Sequence, residues 1–185
     1  MLTGSVPRWS AIRYAISLAA LVGLTMCTHI DNFDIATAGK VEVPKATLID
    51  TVLGDLAFGG FNSVDFSQDF KNQVVTSDDV DSVHVKTLAL LVEAPNSGNF
   101  NFITSARFFA KADGLDKIEI ASMGMIPKGK RELDLNVNGT ADLKPYVVAP
   151  SMQILSEITG ARPDEEMTIA AAVVLDVNIH VPGCN

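Results

Sequence analysis

The segment "MTIAAAVVLDVNIHV", residues 167–181, constrains this chain more than any other. Every odd position is apolar: Met167, Ile169, Ala171, Val173, Leu175, Val177, Ile179 and Val181. The even positions run Thr168, Ala170, Ala172, Val174, Asp176, Asn178 and His180, turning polar toward the C-terminal half. Side chains on a strand alternate between the two faces of a sheet, so a period of two over this length predicts a long strand with one buried face. A helix would bring residues three and four apart together instead, mixing the two sets. His180 falls on the solvent side of that strand.

Other segments repeat the pattern. In "SVHVKTLALLVEA", 82–94, Val83 and Val85 alternate with His84 and Lys86 before the run becomes continuously apolar. "ITSARFFAKA", 103–112, sets Phe108 and Ala110 opposite Arg107 and Lys111, and "KIEIAS" follows it. "RELDLNVNG" places Leu133, Leu135 and Val137 on one face, and "SMQILSEIT", 151–159, sets Met152, Ile154 and Ile158 against polar neighbours. The connections "APNSGN", "ADGLD", "IPKGK" and "GARPDEE" carry the Gly, Pro, Asn and Asp that stop strands and make turns. Short strands and turns at this spacing predict an all-β protein, an antiparallel two-sheet β-sandwich of immunoglobulin-like type with about seven or eight strands.

One or two short helices are expected beside the sheets. "SVDFSQDFKNQ" and the single turn "TADLKPYVV", limited by Pro145, are candidates. "TLIDTVLGDLAF" also has Leu48, Ile49, Val52, Leu53 and Leu56 at helical spacing, interrupted by Gly54.

The N-terminus differs from the rest. Residues 1–13 hold Arg8 and Arg13 with no acid, residues 14–26 hold no charge, and "YAISLAALVGLT" is an apolar run of about a dozen residues before "CTHIDNFD". A basic region followed by a short apolar one is the pattern of an export signal, and the run is shorter than the roughly 20 residues a spanning helix needs. The chain divides into a signal peptide at 1–26, a tether at 27–35 and a β-sandwich domain at 36–183. Loss of the leader leaves 12 basic against 22 acidic residues, a net charge of −10. That surface repels phosphate backbones, and "KGKR" at 128–131 is the longest basic cluster, so nucleic acid is not expected as a partner. The same balance disfavours peripheral binding to anionic lipid.

Leu24, Thr25, Met26 and Cys27 resemble the lipobox of bacterial lipoproteins, with Met26 standing where a small residue is usual. The resemblance implies that Cys27 becomes the acylated N-terminus of the mature chain, and that the partner it engages is the lipid bilayer. With Thr28 following, it implies an outer-membrane or cell-surface location; without the anchor the exported chain is periplasmic or secreted. Cys184, next to the last residue, leaves a second role open for Cys27, since an oxidising compartment permits a Cys27–Cys184 bridge. Acylation and that bridge exclude each other. More faintly, residues 90–137, with Ala94-Pro95-Asn96 at the turn, resemble the LEA-14/WHy type of sandwich, which implies a two-sheet immunoglobulin-like fold and no particular activity.

Legible chemistry is sparse. "DLNVNG", Asp134 to Gly139, matches the first half of a calcium loop, but the bidentate Glu needed at its twelfth position is Pro145. "SDDVDS" gathers Asp78, Asp79 and Asp81, weak candidates for a metal site that read equally as a solvated loop capping the next strand. His29, His84 and His180 are scattered and form no ligand cluster. "FGGFN", 58–62, lacks the Lys and Ser/Thr of a phosphate loop and reads as a turn between packed aromatics. Phe100, Phe102, Phe108 and Phe109 are candidates to line an apolar pocket, or simply core. No cofactor motif and no nucleophile elbow is present. The sequence therefore points to a non-catalytic envelope lipoprotein of structural, adhesive or assembly role, binding an envelope protein through sheet edges or end loops. The alternative is a small-molecule or lipid-binding sandwich with an apolar cavity.

Overall fold

The computed structural model describes residues 32–48, 52–53 and 55–180. Eight strands run in chain order: β1 (Asn32–Val43), β2 (Val80–Ala94), β3 (Ile103–Ala112), β4 (Ile118–Met123), β5 (Glu132–Asp134), β6 (Asn136–Val137), β7 (Met152–Gly160) and β8 (Met167–Ile179). Two short helices, α1 (Ser67–Asn72) and α2 (Lys144–Val147), lie inside the two segments expected to hold them. The strands form two antiparallel four-stranded sheets, ordered β1-β8-β2-β5 and β6-β4-β3-β7. The all-β two-sheet sandwich read from the alternation is thus the fold.

β8 supplies the spine. Its odd residues from Met167 to Ile179 are all buried, while the even ones face outward between β1 and β2. Facing them from the second sheet are Ala106, Phe108 and Ala110 of β3, Ile120 of β4, and Met152, Ile154 and Ile158 of β7. Each large aliphatic side chain removed from water there contributes about 1.5–3 kcal/mol before ordering costs.

β1 begins at Asn32, so the last residues of the expected 27–35 tether belong to the sheet. The reason lies in register: Phe33 and Ile35 point inward opposite Val177 and Leu175, continuing the alternation of β8. The helical spacing at 48–56 is not realised in the described residues. Val52 makes an isolated bridge with Ala161, and Leu56 and Phe58 are buried on either side of an exposed Ala57, as in an extended chain.

Both open sides of the sandwich are closed by a segment that leaves one sheet for the other. On one side, Gly59 pairs with Lys40 of β1 (N–O distances 2.9 and 2.6 Å), after which Val64 pairs with Met152 of β7. Counted as a strand, and with β5 and β6 taken together as one bent strand, this segment gives sheet orders of first-eighth-third-sixth and second-seventh-fourth-fifth, the connectivity of a jelly roll. On the other side, β5 pairs with β2, and two residues later β6 pairs with β4. Leu135 stands at the switch, its N–H donating to Leu88 O at 2.9 Å.

The crossing at 59–60 depends on glycine. A Cβ on Gly60, at φ +98°, would stand 2.5 Å from Ala38 O, and one on Gly39 would stand 2.6 Å from Gly59 O. Phe58 and Phe61, buried on either side of the pair with ring centroids 5.8 Å apart, plug the gap between the sheets. The reading of "FGGFN" as a turn between packed aromatics agrees with this geometry.

Candidate functional site

The two ends of the sandwich are unequal. β1 starts and β8 finishes at one end, beside α1 and α2. The opposite end gathers three loops, 95–102, 124–131 and 161–166, and the first and last of these line a cleft of about 610 Å3.

The loops of that cleft are held by side chains bonding to backbone. Arg131 spans the turn after β2: its Nε donates to Val92 O (3.0 Å), Nη1 to Asn96 O (2.8 Å) and Nη2 to Glu93 O (3.0 Å). Asn99 caps a 3-10 turn at Phe100–Phe102 by accepting from Asn101 N–H at 3.0 Å. Asn101 Oδ1 accepts from Gly129 N–H (2.7 Å), its carbonyl accepts from Lys128 Nζ (3.2 Å), and Phe100 N–H donates to Lys130 O (2.8 Å). Ser97 Oγ donates to Glu165 Oε1 (3.1 Å), tying the 95–102 loop to the 161–166 loop, while Arg162 Nε donates to Val52 O (3.2 Å). The lining mixes Ser97, Asn99, Asn101, Arg162 and Glu165 with the apolar Phe102 and Met167. Paired donors and acceptors stand there beside an apolar wall.

The residues singled out from the sequence fall elsewhere, with one exception. Phe100 and Phe108 are fully buried in the core, and Phe108 packs on Phe58 at 5.7 Å. Phe102 stacks on Phe100 at 6.4 Å and lines the end cleft. Phe109 lies on the outer face of the second sheet, buried beneath Arg107 (4.9 Å from the ring centre) and Lys117 (4.3 Å). The four rings therefore do not converge on one pocket. Over Phe109, Arg107 pairs with Glu119 (2.7 Å) and Glu157 (3.4 Å), and Lys117 also reaches Glu157. Hydrogen bonds from Arg107, then from Ser122, hold the Glu119 carboxyl below its ordinary range.

Asp78, Asp79 and Asp81 point to different partners. Asp79 accepts from Thr76 N–H (2.9 Å) and Oγ1 (2.6 Å) in a capping box, and the Thr76 hydroxyl is the main cause of its lowered pKa. Asp81 faces His180 Nδ1 at 2.8 Å, and Asp78 is exposed. Among the described residues no three His, Cys, Asp or Glu side chains are grouped to hold a metal. In "DLNVNG", Asn138 is spent locally, donating to Glu119 O (3.0 Å) and accepting from the Thr140 hydroxyl (2.8 Å). His84 Nδ1 lies 3.0 Å from Ala141 O. Cys27, His29 and Cys184 lie outside the described residues, and no described helix is long and apolar enough to cross a membrane.

No family model matches the chain, and no curated protein matches it. Among solved structures it is similar to the BFDV capsid protein in a decameric crystal structure, at 11% identity and TM-score 0.40, covering 80% of this chain and 98% of that one. The 60-mer of the same capsid protein matches at 7% identity and TM-score 0.37, covering 83% and 96%. Both likenesses are weak; the class of the fold, an antiparallel sandwich with jelly-roll strand order, rests on the strand pairing above.

Proposed function

We propose that this chain is an exported, non-catalytic lipoprotein of the cell envelope that uses the loops at one end of its sandwich to bind a partner in the envelope. The leader and the Leu24-Thr25-Met26-Cys27 sequence support export and acylation of Cys27. One structural observation carries the rest: the chain enters the sandwich at Asn32, at the end opposite the polar cleft. An anchor at Cys27, five residues earlier, leaves the cleft and its three loops facing away from the bilayer. Sheet edges offer less than end loops, because each side is crossed by a segment that changes sheets. The anchor places the protein at the outer membrane or cell surface.

Two measurements test this. Intact-mass analysis of the membrane fraction is expected to find a chain starting at Cys27 and carrying acyl mass; a mature chain starting elsewhere, without acyl mass, sinks the anchor. Crosslinking from a photoreactive residue at Asn99 is expected to capture an envelope protein, and Glu165→Lys to abolish that capture. Capture that survives Glu165→Lys sinks the cleft as the contact surface.

A further inference from the structure

We infer that the end of the sandwich formed by α1, the turn at Val74 and α2 is a docking surface for a zwitterionic lipid bilayer, against which it lies flat in the anchored protein. The inference rests on the anchor at Cys27 and deepens it by assigning an orientation and a contact surface.

Val74 is the first observation. It follows α1 in the left-handed region, at φ 58°, the one described non-glycine residue with positive φ. Its surroundings are a complete Schellman closure: Val74 N–H donates to Lys71 O (3.1 Å) and Val75 N–H to Phe70 O (3.0 Å). Glycine is the residue this position ordinarily takes, since an L side chain is strained there and a β-branched one is the worst case. The valine recovers nothing inside the fold, because it is 92% exposed. A strained residue whose side chain projects wholly into solvent points to a use outside the fold.

Its position gives the second. Beside Val74 runs a groove of about 560 Å3, lined on its apolar side by Phe70, Val75, Val147, Val148 and Pro150. Val148 stands at the lip, 37% exposed. Phe70 also meets Phe33 of β1, edge to face with ring centres 6.2 Å apart, so the chain enters the sandwich against the groove wall. Cys27 precedes Asn32 by five residues, a stretch that reaches at most about 18 Å when extended. Acyl chains on Cys27 hold this end, and no other part of the molecule, within one short tether of the lipid.

Charge selects the kind of surface. The groove is lined by the carboxylate of Asp65 and the single lysine Lys71, and exposed Asp78 follows Ser77 at its rim. Carboxylates around an apolar groove are repelled by anionic headgroups and accommodated by headgroups whose outermost charge is an ammonium. Val74 and Val148 then enter the interface as apolar side chains, adding to the acyl anchor the second contact that fixes orientation.

The test uses the full lipidated chain with Cys184→Ser, reconstituted in phosphatidylcholine–phosphatidylethanolamine vesicles. A polarity-sensitive fluorophore is attached at Val74→Cys, at Val148→Cys or, at the opposite end, at exposed Met125→Cys. Labels at 74 and 148 are expected to shift to the blue and to be quenched several-fold more by lipid-borne nitroxide than the label at 125. Adding Val74→Gly to Val148→Cys is expected to reduce that quenching while raising the stability of the soluble domain. Equal, aqueous behaviour of all three labels, with acyl mass still on Cys27, overturns the docking surface and leaves the anchor standing. A chain that leaves the vesicles and carries no acyl mass overturns both. Quenching that grows as phosphatidylglycerol replaces the zwitterionic lipid overturns the charge argument and with it the stated partner.

Discussion

The two lateral closures of the sandwich solve one problem by opposite means. On the β1–β7 side the backbone crosses at a glycine pair so tight that a Cβ would meet carbonyl oxygen at 2.5 Å, and two phenylalanines fill the space behind it. On the β5–β6 side a continuous strand bends at Leu135 and exchanges partners, with one main-chain bond, Leu135 N–H to Leu88 O, carrying the transfer. The first closure relies on close approach and aromatic volume, the second on an ordinary strand whose Leu133 and Leu135 remain buried throughout. The difference teaches that an exposed edge can be removed by inserting a crossing segment or by bending an existing strand.

Four substitutions or conditions sharpen that contrast. Phe61→Ala, at a fully buried ring of the glycine closure, is expected to cost about 3–5 kcal/mol in chemical denaturation, through lost transfer energy and the cavity left behind. Leu135→Ala is expected to cost about 2–3 kcal/mol, since the bend can relax where the crossing cannot; a cost equal to that of Phe61→Ala removes the distinction. Arg131→Ala, next to the bent strand, leaves three carbonyls of the 92–96 turn without their donor, and a loss of about 2 kcal/mol is expected in thermal unfolding. Val74→Gly, away from both closures, is expected to stabilise by about 1 kcal/mol.

Acid titration supplies the smallest effect. Glu119 is held below its unfolded value by Arg107, so its contribution is complete above about pH 4.3 and is lost as pH falls through the lowered folded value. Glu119→Gln is expected to lose a small amount of stability at neutral pH, to flatten the pH dependence over that acid window and to match the parent chain below it. A variant with the same acid limb as the parent chain shows that the ion pairs over Phe109 do not contribute.

The sandwich was legible because its long strands alternate cleanly, as β8 does from Met167 to Ile179. Strand order was not, because alternation says which face a residue takes and nothing about which neighbour it meets. The switch at Leu135 is invisible for the same reason: Leu133, Leu135 and Val137 alternate without interruption while the strand changes sheets. Phe109 illustrates a different limit. Its outward position follows from its neighbour Phe108 facing in, but its burial depends on the charged heads of Arg107 and Lys117, which lie over the ring and come from two segments. The end cleft was legible only as turns, since the bonds from Asn101 to Gly129 and from Ser97 to Glu165 join loops far apart in the chain.

The placement of β8 has a kinetic consequence. The last described strand in chain order, β8, lies between β1 and β2, so its 12 register pairs with β1 and its whole interface with β2 form only after that segment is present. Until then β1 and β2 have no common neighbour, and half of the core has no opposing face. Pairing of such sequence separation makes folding slow and late, and a truncation before Met167 removes the neighbour that joins β1 to β2. Under the export proposed above, a fold that commits only on β8 keeps the chain threadable until that strand has been made.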